Sequence, residues 1–332
     1  MRVVPVIAAA AGLCLAAWLL RLYGLTQVLA LLGRAGWLGL CAVIAFHLVQ
    51  VVASAAGWWS IAADTAKRPR LADYAVLRLI REGVNNLLPV AQVGGALVGV
   101  RLLRGSGMSL PDAIATTISD ITLEMVTQIL FTLLGLVLLL AGVGGNGMAG
   151  YVVTGLMAAS AVAALFVGAQ WFGLGLLLEA MMVRLGSLIG WQGTVPAAGL
   201  HQALRGCYVR PRPVLLGSAW HMASWLLGGL EVWIALHVLG YGVRISDCVI
   251  IESLGQALRA AGFVVPGALG VQEGGYVVIC GLFQLSPEVA LALSLTKRLR
   301  EVVLGLPSLA AWQWMERRAA RVSQPLAQDA LL

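Results

Sequence analysis

The chain has 332 residues, of which 60% are hydrophobic and 11% are charged, and its formal net charge is +7. This composition excludes an ordinary soluble domain and is typical of an integral membrane protein. The basic residues cluster between apolar stretches, which indicates membrane topology and argues against a nucleic-acid partner. The five cysteines are scattered and form no CxxC motif or Cys/His cluster, so we predict neither a metal site nor a cofactor. The histidines form no ligand spacing and are interpreted as incidental: His47, His201, His221 and His237.

The apolar segments predict an all-α polytopic membrane protein with about six full transmembrane helices and two re-entrant helical hairpins in an inverted repeat. The full spans are predicted at 3–20, 36–56, 111–140, 151–178, 214–239 and 287–314. A single membrane domain should cover residues 1–315, with halves of about 1–141 and 151–315. Residues 316–332 should form a cytoplasmic tail.

The stretch from Arg81 to Arg104, REGVNNLLPVAQVGGALVGVRLLR, is apolar enough to enter a bilayer but contains residues that break a helix. Proline removes a backbone donor, and paired glycines loosen a helix. Backbone groups freed in this way must be buried in protein or face water. We therefore predict a hairpin over about 74–104 that enters and leaves the membrane on one side. Its candidate site residues are Arg81, Asn85, Asn86, Pro89, Gln92, Gly94 and Gly95.

A related stretch runs from Arg259 to Gly275, RAAGFVVPGALGVQEGG, inside a second predicted hairpin over about 248–285. Both stretches have an arginine, then a proline after a short apolar run, and then Gln-x-Gly-Gly. Interrupted segments at matching positions of two halves indicate a transport site, and simple kinks or glycine packing faces are the alternatives. The candidate site residues here are Arg259, Pro266, Gln272, Glu273 and Gly274.

A long helix follows each hairpin and carries charged residues about ten positions after its first proline. At 1.5 Å per residue, these charges lie roughly 15 Å along the helix, near half the depth of the hydrocarbon. The first helix brings the acids Asp120 and Glu124. The second brings the bases Lys297 and Arg298, and we predict that the acids pair with these bases. Two roles stay open for them: a structural ion-pair network and the handling of a polar headgroup.

The distribution of lysine and arginine also predicts an orientation in the membrane. The basic segments 67–70, 184–212 and 317–321 should be cytoplasmic, together with both termini. The charge-free turn 142–150 should lie outside. With this orientation the two hairpins enter from opposite sides, which is the geometry of an inverted repeat.

The motifs VNNLLPVAQVGG and VPGALGVQEGG, with the Asp120-x-x-x-Glu124 helix between them, resemble a flippase-like membrane family. That family includes the lipid-moving half of lysylphosphatidylglycerol synthases, and within it the motifs look most like the hopanoid-biosynthesis-associated branch. The resemblance covers nearly the whole chain and implies two re-entrant hairpins around a cavity and movement of lipids between leaflets. Lipid lysylation by this chain alone is not expected, because it lacks the soluble aminoacyl-transferase half.

The resemblance therefore predicts a lipid transporter of the inner membrane in hopanoid or related lipid biogenesis, and not an enzyme. Its partner would be a membrane lipid: a hopanoid, a phospholipid or a polyprenyl lipid. Hopanoid-biosynthesis enzymes and a second copy of the chain are further candidate partners. The alternatives are a membrane enzyme subunit that modifies polyprenyl-type lipids and a non-transporting scaffold for hopanoid enzymes.

Overall fold

The computed structural model describes most of the chain outside a long central segment. The described ranges are 25–63, 67–88, 94–142, 197–261 and 268–323, with Cys14, Trp18, Arg21, Leu22, Thr65 and Val265 as isolated residues. Throughout these residues the regular structure is helical, without strands, which confirms the all-α prediction.

The helices of the described residues are numbered here in chain order. They are α1 Leu25–Ile61, α2 Leu71–Leu87, α3 Gly94–Gly105, α4 Leu110–Gly142, α5 Ala197–Val209, α6 Pro211–Val238, α7 Ile245–Ala261, α8 Val271–Gly281 and α9 Pro287–Ser323. Two of them, α1 and α4, are long and apolar enough to cross a membrane. The count of six spans and the domain boundaries stay predictions. The predicted span 151–178, the turn after Gly142 and most of the span 3–20 lie outside the described residues.

Both predicted hairpins are interrupted where the sequence breaks the helical pattern. In the first hairpin α2 ends at Leu87 and α3 begins at Gly94. In the second, α7 ends at Ala261 and α8 begins at Val271. The helix breakers of the two motifs therefore mark real helix ends. The entry of both hairpins into the membrane from opposite sides stays a prediction.

Two helices extend beyond their predicted bounds. Helix α1 begins at Leu25, ahead of the predicted start at Gly36, and changes direction at Gly36, whose φ of 61° lies in the left-handed region that favours glycine. Helix α9 continues to Ser323, past the predicted end near residue 314 and into the predicted tail. Hydropathy underestimates the length of α9 because its last turns are polar. The arginine, glutamate and alanine residues of these turns nevertheless favour a helix.

The described helices form two sets with the same packing. In the first half, α1 to α4, each helix packs against the next one, and the same holds for α6 to α9 in the second half. The two halves also pack against each other: α2 packs along α9, α7 packs along α4, and α1 and α6 pack along each other. These contacts between the halves are called the crossed packing. Exchanging the two halves therefore reproduces the packing, while α5 stands outside this exchange and packs mainly on α4.

Two apolar clusters lie at opposite ends of these helices. The first cluster combines the end of α1 with α2, α3 and the start of α4, and it buries Trp58 and Tyr74. The second cluster combines the start of α1 with the end of α6 and the starts of α7 and α9, and it buries Leu236 and Ile251. Between the clusters, α1 carries His47.

Corresponding helices of the two halves run in opposite directions between these clusters. Helix α4 starts in the first cluster, whereas α9 starts in the second and reaches the first at Trp312. Helices α1 and α6 are antiparallel, because Gly39 lies against Val238 and Gly57 lies against His221. Opposite directions of corresponding helices are what an inverted repeat requires, and the inverted repeat itself stays a prediction.

Candidate functional site

Charged side chains that are mostly buried lie between the two apolar clusters, and together they are called the charged layer. The charged layer consists of the bases Arg78, Arg81, Arg259, Lys297, Arg298 and Arg300, the acids Glu82, Asp120, Glu124, Glu231, Glu252, Glu273 and Glu301, and the histidines His47 and His221. Buried ionisable groups are costly in a membrane protein and require partners. Each member has a charged or histidine partner within 4.0 Å.

The first half builds its part of the charged layer from α2 and α4. Arg78 and Arg81 are three residues apart and so share one face of α2. Arg81 donates to Asp120 and to Glu124, while Nη1 of Arg78 donates to Oε2 of Glu124 at 2.8 Å. Glu124 therefore accepts hydrogen bonds from two guanidinium groups. The Arg81 guanidinium also lies 5.6 Å from the ring centroid of Trp58, a cation–π contact.

The second half builds its part from α7, α8 and α9. Nη1 of Arg259 donates to Glu301 and, at 2.8 Å, to the side-chain oxygen of Gln272. Nε of Arg298 donates to Oε1 of Glu273 at 3.1 Å. Lys297 pairs with Glu252 in the same way. The long helix α9 is thus tied to both helices of the preceding hairpin.

The two interrupted hairpins contact each other directly. Nη2 of Arg259 on α7 donates to Oδ1 of Asn86 on α2 at 2.9 Å. Asn86 and Arg259 are candidate site residues of the two motifs, and this contact joins the two hairpins. The amphipathic cavity expected around them stays a prediction.

The predicted pairing of Asp120 and Glu124 with Lys297 and Arg298 is wrong. The acids pair with α2 arginines, and Asp120 also contacts His221; the bases pair with acids of their own half. The reason is the crossed packing. Helix α4 packs along α7 and α6, while α9 packs along α2, α1 and α8, so the two long helices do not run side by side.

The interpretation of His47 and His221 as incidental is also wrong. Both are buried, and both join the two halves. Nδ1 of His47 on α1 lies 2.8 Å from Oε2 of Glu231 on α6. Nε2 of His221 on α6 lies 2.9 Å from Oδ1 of Asp120 on α4. In contrast, His237 is exposed and stacks on Trp233.

The motif glycines and amides stabilise the helix starts beside the charged layer. Oδ1 of Asn85 accepts a hydrogen bond from the Gly95 backbone N–H at 2.9 Å. A Cβ atom on Gly95 would lie 2.5 Å from the Arg81 carbonyl oxygen, so only glycine allows this approach of α3 to α2. In the second hairpin, Oε2 of Glu273 accepts from the Gly270 N–H at 2.7 Å and so satisfies a free donor at the start of α8.

Some of the remaining candidate site residues lie within the described ranges, and others lie outside them. Gly94 is the first residue of α3, and Gly274 lies in the first turn of α8. Nε2 of Gln272 donates to the Ser294 hydroxyl on α9 at 3.0 Å. The candidates that lie outside the described residues are Pro89, Gln92 and Pro266.

Sequence reasoning did not place several members of the charged layer at the site. These are Arg78, Glu82, Glu231, Glu252, Arg300 and Glu301, together with the two histidines. Glu231 and Glu252 had a usable signal, because each is a single acid in an otherwise apolar helix. The positive-inside rule accounts for Arg78 as a flank of a span, but this rule does not describe an arginine whose side chain is only 11% exposed.

The comparisons with known proteins give a family. The family model of the lysylphosphatidylglycerol synthase TM region matches residues 5–308. The chain belongs to this family. Neither a curated protein nor a solved structure matches the chain. As a member of the lysylphosphatidylglycerol synthase TM region family, it is a membrane protein of lipid metabolism or transport.

Proposed function

We propose that this member of the lysylphosphatidylglycerol synthase TM region family moves a lipid between the two leaflets of the membrane. The lipid headgroup would bind in the charged layer, and the apolar tail or ring system would pass along the apolar helix faces. The observation that carries the proposal is the pair of guanidinium groups on Glu124, which belong to Arg78 and Arg81 on an interrupted hairpin.

A phosphate group is the headgroup chemistry that fits this arrangement. Arginine binds carboxylates and phosphates with the same fork of parallel N–H donors. A headgroup phosphate can therefore replace the Glu124 carboxylate between Arg78 and Arg81. Because the guanidinium groups return to Glu124 when the lipid leaves, the site exchanges partners and does not trap the anion. Such reversible binding is what transport requires.

The inverted repeat provides a route to either leaflet. The described halves are joined in the charged layer by polar contacts, among them Asn86 with Arg259 and His47 with Glu231. Rocking of one half against the other would break some of these contacts and open the layer first to one side and then to the other. Interrupted helices near the site support this motion, since their ends are not part of a continuous helical ladder.

The resemblance to the hopanoid-biosynthesis-associated branch supports an inner-membrane role in hopanoid or related lipid biogenesis. The transported lipid would be a hopanoid, a phospholipid or a polyprenyl lipid, and hopanoid-biosynthesis enzymes would be its partners. On this proposal the protein is a transporter and not an enzyme. An enzyme subunit and a non-transporting scaffold are the alternatives that the transport experiment distinguishes.

The proposed orientation has both termini in the cytoplasm. A cysteine placed in 143–149 should then react with an impermeant thiol reagent added outside intact cells, whereas cysteines at Arg68 and Arg210 should not react. Cysteines near Gly95 and near Gly270 should report access from opposite faces. Labelling of both hairpins from the same face would contradict the opposite entry of the two hairpins.

Transport is tested with the purified protein in proteoliposomes that carry a fluorescent phospholipid. Lipid movement should be faster than in protein-free vesicles, and Arg81→Gln and Glu273→Gln should slow it by roughly tenfold, the kinetic equivalent of ~1.4 kcal/mol. Pro89→Ala should slow it as well if the interrupted helix is needed. Arg244→Gln is the matched control, because this side chain is 79% exposed and outside the charged layer.

Two results would overturn the transport proposal. If the folded protein accelerates no hopanoid, phospholipid or polyprenyl lipid, the scaffold alternative is favoured. If mass spectrometry finds the lipid chemically changed after incubation, the enzyme alternative is favoured. Monodisperse elution in detergent is required of every variant, so that loss of transport is not loss of fold.

A further inference from the structure

His47 occupies a special place in the charged layer. It lies on α1 between the two apolar clusters, and it is buried. Its Nδ1 atom lies 2.8 Å from Oε2 of Glu231 and 3.1 Å from Oε1 of Gln50. Its Nε2 atom lies 3.4 Å from Oε2 of Glu82. Both ring nitrogens thus face carboxylate oxygens, one from each half of the molecule.

A neutral imidazole cannot satisfy both carboxylates. It has one N–H donor, and its second nitrogen carries a lone pair that would point at a carboxylate oxygen. The imidazolium form has two N–H donors, and it alone matches acceptors on both sides. The positions of the two carboxylates around His47 therefore match the protonated ring.

The charges of the layer lead to the same conclusion. The charged layer has seven acids and six bases, so one acid lacks a cationic counterpart. The excess belongs to the first half, where Glu82, Asp120 and Glu124 have two arginine partners, Arg78 and Arg81, and two histidine neighbours. One protonated histidine balances the count, and His47 has a carboxylate oxygen at both ring nitrogens, whereas His221 pairs with Asp120 through Nε2. A net charge in an apolar environment is unfavourable, so the proton on His47 stabilises the closed arrangement.

The groups that face His47 come from every helix packed around it. Glu82 approaches from α2 and is also bound by Arg78. Glu231 approaches from α6 and is also bound by Arg300 of α9. Gln50 lies on α1 itself. When His47 loses its proton, Glu82 still contacts Arg78 and Glu231 still contacts Arg300, while the layer gains a net negative charge that favours opening to water.

We infer that His47 is a proton-binding site whose proton holds the charged layer closed and whose loss opens the layer for lipid movement. This inference rests on the proposed lipid transport. In the closed layer the imidazolium binds Glu82 and Glu231 together. On opening, an N–H bond of the ring breaks, the electron pair stays on nitrogen, and the proton passes to water on the open side. On closing, the ring takes a proton back from water, so each cycle returns to the same charge and lipid movement should become faster as the pH rises.

The first test is the protonation state of His47 in the full-length protein in detergent. Nitrogen-15 spectra of histidine-labelled protein should show both His47 ring nitrogens protonated at about pH 7, with the signals assigned by their loss in His47→Gln. A neutral His47 at this pH would overturn the inference, whatever the transport experiment shows.

The second test is lipid movement at several pH values, equal on both sides of the membrane, in proteoliposomes with a fluorescent anionic phospholipid. Where the loss of one proton limits opening, the rate should rise by up to about tenfold for each pH unit. His47→Gln should lose this pH dependence, and His237→Gln, an exposed histidine outside the charged layer, should keep it.

The outcomes separate the two proposals. Lipid movement at the same rate at every pH would overturn control by the His47 proton and leave transport intact. No lipid movement in any condition would overturn transport, and control by the His47 proton with it. Because the pH dependence of the wild-type rate is itself decisive, the test does not depend on the His47→Gln variant being folded.

Discussion

The two halves of the molecule share their packing but differ in where their charges lie. In the first half the hairpin helix α2 brings the bases, and the long helix α4 brings the acids. In the second half the hairpin helices bring Glu252 and Glu273, and the long helix α9 brings the bases that bind them. The fold is therefore repeated, while the chemistry of corresponding helices is largely reversed.

One ion pair is common to both halves. Arg81 on α2 binds Glu124 on α4, and Arg259 on α7 binds Glu301 on α9. In each case the arginine begins the motif, and the acid lies on the long helix that follows the same hairpin. This shared pair fixes the distance between hairpin and long helix, whereas the reversed charges around it differ between the halves. We expect the shared pair to join hairpin and long helix when no lipid is bound, and the differing charges to set specificity.

The largest expected effect is a loss of stability, and it differs between Arg81 and Arg259, the arginines of the ion pair that both halves share. Arg81→Leu leaves Asp120, which is fully buried, with His221 alone, whereas Arg259→Leu leaves Glu301 with Arg298 at 3.3 Å. Removing one partner of a buried pair costs roughly 3–5 kcal/mol, so Arg81→Leu should strongly lower the yield and the thermal unfolding temperature in detergent. Arg259→Leu should lower both less.

The control for this prediction is an ion pair whose arginine is exposed. Arg244→Leu removes a partner of Asp247 whose own side chain is 79% exposed, and it should lower the unfolding temperature far less than Arg81→Leu. Equal losses for Arg81→Leu and Arg259→Leu would mean that neighbouring arginines do not compensate in the second half.

A smaller effect distinguishes the matching motif glycines. A Cβ atom on Gly95 would lie 2.5 Å from the Arg81 carbonyl oxygen, which is backbone and cannot move aside. On Gly275 it would lie 2.7 Å from Cδ1 of Leu258, the end of a flexible side chain. Gly95→Ala should therefore destabilise the protein by about 1–3 kcal/mol, and Gly275→Ala by less than about 1 kcal/mol. Thermal unfolding of both variants in one detergent measures this difference, and the reverse order would contradict it.

The sequence predicted the features that depend on local chemistry. Helix breaks follow from proline and glycine themselves, so the interruptions after Leu87 and after Ala261 were found from the motifs alone. The start of α4 near Pro111 follows from the same local rules, since proline and an adjacent acid favour a first helical turn. The motifs also found Arg81, which belongs to the charged layer. They found Asn86 and Arg259 as well, which contact each other across the two hairpins.

The sequence could not predict which helices are neighbours. Periodicity gives the depth of a charge along a helix, so Asp120 and Lys297 were placed at similar depths, but it does not give their partners. His47 shows the same limit most clearly. Its partners Glu82 and Glu231 are 35 and 184 residues away along the chain, and no spacing rule joins them. Only the crossed packing of the two halves brings these three side chains together.

The smallest expected effect measures the contact between the hairpins. Asn86 and Arg259 are joined by one hydrogen bond of 2.9 Å, and each belongs to a different half. Hydrogen bonds between membrane helices contribute on average about 0.6 kcal/mol in double-mutant cycles. The cycle of Asn86→Ala with Arg259→Gln should therefore give a coupling free energy near this value in reversible unfolding. Asn86→Ala combined with Arg101→Gln, whose side chain is 48% exposed and pairs with Glu316, should give additive losses. Additivity in the first cycle as well would mean that the hairpins are held by the packing of α2 along α9 and of α7 along α4, and that the Asn86 contact is free to break during rocking.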